Sequence, residues 1–106
     1  MNTNELERLA TGSSYRGQIT CTYSELSGLS ELTDTGASDK STTNFIGVMS
    51  ANKILVTVYD WKNWTPINPD KEYCWNIGGK DRLAVYALAA ALSERYDKNF
   101  TYQVGD

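Results

Sequence analysis

KILVTVYDWKNWTPINPDKEYCWNIGGKDRLAVYALAAALSER, residues 53–95, contains two strand-like runs, a loop marked by prolines, a glycine pair and the strongest helical pattern of the chain. Along Ile54–Trp61 the side chains alternate, with Ile54, Val56 and Val58 on one side and Leu55, Tyr59 and Trp61 on the other. Both sides are apolar, so the run is expected to be a central strand or one covered on each face. Pro66 and Pro69 cannot donate to a ladder and restrict the residues before them, which makes Lys62–Pro69 a loop. Glu72–Ile77 resumes as a strand with Tyr73, Trp75 and Ile77 on one face, and Gly78-Gly79 is expected to end it. From Lys80 or Asp81 to about Tyr96, the residues Leu83, Ala84, Ala87, Leu88, Ala91 and Leu92 form a stripe at helical spacing.

Upstream, Asn44–Ser50 is a further strand-like run, separated from Lys53–Trp61 by Ala51 and Asn52, a spacing that predicts a hairpin. Arg16–Cys21 reads as a strand. Thr22 and Glu25 stand in the T-x-x-E pattern of a capping box, from which a short helix would pack Tyr23, Leu26 and Leu29 or Leu32 inward. Thr33–Thr42 is a polar loop, and Phe100–Val104 is compatible with a last edge strand. Residues 1–14 hold one short amphipathic turn, NELERLA, too brief to repay helix nucleation unpacked, and are expected to be a flexible arm. The order predicts an α+β fold in one domain, residues 15–106. It would be a small antiparallel sheet of about four or five strands, with one long C-terminal helix across a face and a short helix after the first strand.

Composition narrows the chemistry. The 106 residues include no histidine, which rules out Ser-His and Cys-His nucleophile arrangements. The two cysteines, Cys21 and Cys74, are too few for a metal site or a disulfide scaffold and are expected to be reduced core residues; no cofactor is implied. A formal net charge of −3 lacks the positive field that drives phosphate-backbone binding, so nucleic acid is not an expected partner. Neither a signal-peptide pattern nor an apolar run long enough to span a bilayer is present, which points to the cytoplasm and to no membrane partner.

Three features invite a functional reading. Gly78-Gly79 before a helix start, followed by Lys80 and Arg82, would offer outward amides and two cations to an anion, although such a pair commonly only makes a turn. The spacing is not that of a P-loop. The aromatic group Tyr59, Trp61, Trp64, Tyr73 and Trp75 divides into core candidates (Tyr59, Tyr73 and Trp75) and a candidate exposed patch, Trp61, Lys62 and Trp64. Asp60 and Glu72 each interrupt an apolar run and would form an acid–base pair only if packed together; a strand-ending Asp60 and a solvated Glu72 are the plainer reading.

The set Thr22-Tyr23…Leu26, Val58-Tyr-Asp-Trp-Lys62 and Trp75-Asn-Ile-Gly-Gly79 before an alanine-rich helix resembles a group of small bacteriophage accessory proteins, over roughly residues 15–96. The chain departs from that group at Leu29–Lys40, where a Gly-x-Pro turn gives way to a Ser- and Thr-rich stretch. The resemblance implies a non-enzymatic counter-defence protein in the host bacterial cytoplasm, which either sequesters a nucleotide signal or blocks a host defence protein. On the first alternative, Trp61, Lys62, Trp64, Trp75, Gly78, Gly79, Lys80 and Arg82 are the expected ligand-binding residues. A homo-oligomer is expected as well, because a chain this small encloses little volume. On the second, the loop Lys62–Pro69 is the contact, with Trp64 at its centre.

Overall fold

The computed structural model describes residues 14–35, 41–50, 53–61 and 67–105. Strands β1 (Ser14–Thr22), β2 (Leu32–Asp34), β3 (Ser41–Met49), β4 (Ile54–Trp61), β5 (Glu72–Gly79) and β6 (Tyr102–Val104) form one sheet in the order β2-β3-β4-β5-β1-β6, with every pairing antiparallel. The helices are α1 (Tyr23–Ser27) and α2 (Leu83–Tyr96). The sheet thus has six strands rather than four or five. The additional one is β2, which occupies Leu32 and the start of the expected loop and is held by pairing with Gly47, Ile46 and Phe45 of β3.

Alternation decides which face is covered. Ile19 and Cys21 of β1, Phe45 and Met49 of β3, Val56 and Val58 of β4, and Trp75 and Ile77 of β5 are buried beneath α2, which contributes Ala84, Val85, Ala87, Leu88, Ala89 and Leu92. Among the described residues no helix covers the opposite face, so β4 is central but helix-covered on one side only. Small residues let α2 sit close to the sheet: a methyl group added at Gly79 would come within 2.7 Å of the Ala84 Cβ, and one at Gly17 within 2.8 Å of Val85.

Several details depart from the sequence reading. The β3–β4 connection is closed by the Lys53 amide donating to the Met49 carbonyl at 2.8 Å, with Lys53 at φ 59°, so the loop is four residues, 50–53, rather than two. Helix α2 begins at Leu83 rather than Lys80 or Asp81. Leu83, assigned to its buried stripe, is 51% exposed. Cys74, expected in the core, is exposed, because it lies on the sheet face opposite Trp75. Cys21 is buried, and that burial, followed by the nearby carboxylates of Glu25 and Glu72, pushes its thiol up to about 12.

Candidate functional site

The expected ligand-binding residues do not form one site. Trp75 is a core residue with no exposed surface; its indole Nε1 donates to the Cys21 carbonyl at 2.9 Å, and its ring packs edge-on to Phe45 and Tyr73. It cannot stack on a ligand without unpacking the sheet. Gly78 and Gly79 lie inside β5, opposite Tyr15 and Ser14 of β1, rather than beyond the strand end. Their lack of side chains serves packing: a Cβ at Gly78 would strike the Thr57 hydroxyl, and one at Gly79 would strike Ala84. Lys62 and Trp64, and the side chain of Trp61, lie outside the described residues.

Lys80, Asp81 and Arg82 form the exposed turn between β5 and α2. The first amides of α2 are already engaged by the chain itself. Asp81 Oδ1 accepts from the Leu83 amide at 2.9 Å, and the Asp81 carbonyl accepts from Ala84 at 3.0 Å. A carboxylate thus fills the helix N-terminus, where the dipole favours negative charge. The cations remain available to solvent, and the fold brings a third beside them. A register shift between Tyr15 and Gly17 accompanies the placement of Arg16 at the end of β5, where its Nε donates to the Gly79 carbonyl and its Nη2 to the Lys80 carbonyl, both at 2.9 Å. Arg16, Lys80, Asp81, Arg82 and Gly105 line a recess of about 260 Å³ with three positive groups and one negative.

Of the four large hydrophobic side chains exposed among the described residues, Tyr15 and Leu83 neighbour residues that line this recess, while Tyr86 and Tyr102 lie further along α2 and β6. Tyr15, 45% exposed, precedes Arg16, and its ring lies 2.8 Å from where a Cβ on Gly105 would stand. Leu83 follows Arg82, and Tyr86 stands one turn further along α2. Tyr102 packs edge-on to Tyr86 with ring centroids 5.9 Å apart. On the open sheet face Tyr59 leans toward Gly78; burial, and then the nearby Tyr15, raise its phenol above the ordinary tyrosine range. Sequence reasoning missed Arg16, Tyr86 and Tyr102. Tyr86 had a signal, since it falls outside the apolar stripe of α2, whereas Arg16 reaches its partner across 63 residues of chain.

Asp60 and Glu72, the possible acid–base pair, are not brought together. Asp60 is 6% exposed and shares the α2 side of the sheet with Val56 and Val58, while Glu72 is on the opposite side, in alternation with Tyr73 and Trp75. Among the described residues no three His, Cys, Asp or Glu side chains gather as metal ligands, and no helix is long and apolar enough to cross a membrane. The fold and this corner therefore define a small α+β domain carrying a basic recess with Tyr15 beside it. Comparison with protein-family models, curated proteins and solved structures returns no match.

Proposed function

We propose that this is a non-enzymatic, phage-type counter-defence protein of the bacterial cytoplasm that sequesters a small anionic, nucleotide-like ligand. Arg16, Lys80 and Arg82 hold the phosphate, and the Tyr86–Tyr102 pair presents an aromatic face to the base, in place of the tryptophans suggested by the sequence. The observation that carries this reading is the convergence of three cations on one recess, with the exposed Tyr86 one helical turn beyond Arg82. Arginine gives bidentate recognition of phosphate, and aromatic rings stack on any base because every base has a π face. At about 260 Å³ the recess falls below the usual range for small-molecule pockets, roughly 300–1,000 Å³, so the rest of the ligand needs cover from elsewhere.

A thermal-shift panel of linear and cyclic nucleotides tests the proposal. Ligand at 100 times its dissociation constant adds about 2.7 kcal/mol, on the order of ten degrees or more for a domain of this size. One nucleotide class is expected to raise the midpoint, and Lys80→Gln with Arg82→Gln to remove the rise. A second reading, a blocker of a host defence protein, draws on the same surface, because exposed arginine and tyrosine are the residue types of binding hot spots. It expects a flat nucleotide panel and loss of counter-defence activity in Tyr86→Ala.

A further inference from the structure

The outer side of α2 carries Arg82, at its N-cap, then Tyr86, Ala90 and Glu94, all exposed and four residues apart. Residues at this spacing form one of the ridges by which helices pack. The ridge drifts across the helix as it rises. At Tyr86 it is on the β6 side, against Tyr102. At Glu94 it has reached the side of β2 and β3, where Ala87, Ala90, Ala91 and Glu94 wall a groove of about 840 Å³ against Leu29 and Met49. One helix face therefore has an aromatic knob with a cation beyond it, and an alanine-lined hollow with carboxylates, Glu94 and Glu31, at its rim.

We propose that a second copy of this chain fills that hollow, giving a two-fold dimer in which α2 packs antiparallel on α2. A two-fold axis level with Leu88 pairs each ridge residue with the one equally far on the other side. Arg82 then meets Glu94 of the second copy, Tyr86 meets Ala90, and symmetry repeats both contacts. The largest exposed side chain of the ridge is matched to the smallest, and each charge to its opposite. Reversing the order of the two charged residues leaves this matching intact, but two like charges at those positions would destroy it. Arg95, the other cation at the groove, is turned over its own Tyr96 ring at 5.1 Å. The dimer stands independently of the ligand reading and is compatible with it: a guanidinium has five N–H donors, enough for Arg82 to hold a carboxylate on one edge and face the recess with the other.

Sedimentation equilibrium on the full chain tests it, with circular dichroism melts confirming that each variant is folded. Wild type is expected at twice the 11.8 kDa chain mass. Arg82→Glu and Glu94→Arg should each weaken the dimer on the order of tenfold or more, and the two together should restore it. Ala90→Glu, which places a charge under Tyr86, should give a monomer. A wild type that is monomeric at every concentration overturns the dimer, as does a dimer indifferent to all three single substitutions. The latter result would place the seam between the copies on another surface. Neither result bears on the nucleotide panel, which reads the recess directly.

Discussion

The two ends of α2 are built differently. Its C-terminal end is tied to α1: the Tyr96 hydroxyl donates to the Glu25 carbonyl at 2.9 Å, and Lys98, just past the helix, pairs with Glu25 at 2.6 Å. Thr22 and Glu25 close a reciprocal capping box on α1, and the helix stops at Asp97 in the left-handed region at φ 53°. At the N-terminal end Asp81 accepts from the Leu83 amide and Arg16 clamps the end of β5, while Lys80, Arg82, Leu83 and Tyr86 face solvent. The first end spends Tyr96 and Lys98 within the chain. The second leaves Lys80 and Arg82 for something else, which is why substitutions at the two ends should affect different measurements.

The largest expected effect lies in the core beside the tied end. Trp75→Ala removes a fully buried ring and leaves the Cys21 carbonyl without its indole donor. A loss of about 3–5 kcal/mol is expected, a large share of the stability of a small domain, read as a lower urea midpoint. A drop in ligand affinity with unchanged stability would instead return Trp75 to the binding surface. Thr22→Ala should cost about 1 kcal/mol by opening the capping box, in the same unfolding assay. A smaller effect is expected from Lys98→Gln, and it should depend on pH. Burial alone would raise the Glu25 carboxyl, but hydrogen bonds from Lys98 and Thr22 outweigh it and hold the group below the ordinary glutamate value. A depressed carboxyl stabilises the fold above its unfolded value, about 4.3, and loses that contribution as pH falls through the folded one. The gap between wild type and Lys98→Gln should therefore be present at neutral pH and close under acid; a gap that persists in acid would show that Lys98 acts through packing.

What the sequence made legible follows the same division. Alternation in β4 and β5, the helical stripe and the Thr22–Glu25 box are local patterns, and each marks an element that the structure contains. Trp75 belonged by that alternation with Tyr73 and Ile77, so its burial was readable even though it was also offered as a ligand contact. Strand β2 has no periodicity of its own; it exists because Gly47 lets the chain at Glu31 pass against β3. Gly78-Gly79 was misread for a similar reason, since what demands those glycines is contact with Thr57 of β4 and Ala84 of α2 rather than the conformation of a turn. Of the candidate site, Lys80 and Arg82 were readable, whereas Arg16 comes to them only through β1 pairing with β5.

The most direct measurement is the thermal midpoint of Lys80→Gln/Arg82→Gln beside wild type, each with and without the nucleotide that shifts wild type most. Without ligand, and at a concentration low enough that both proteins are monomers, the two midpoints should agree to within the small change, about 0.5 kcal/mol, usual for exposed positions. With ligand, only wild type should rise. A variant that still rises would place the ligand elsewhere on the molecule, and one that loses stability without ligand, as Thr22→Ala does, would contradict the separation of the two helix ends.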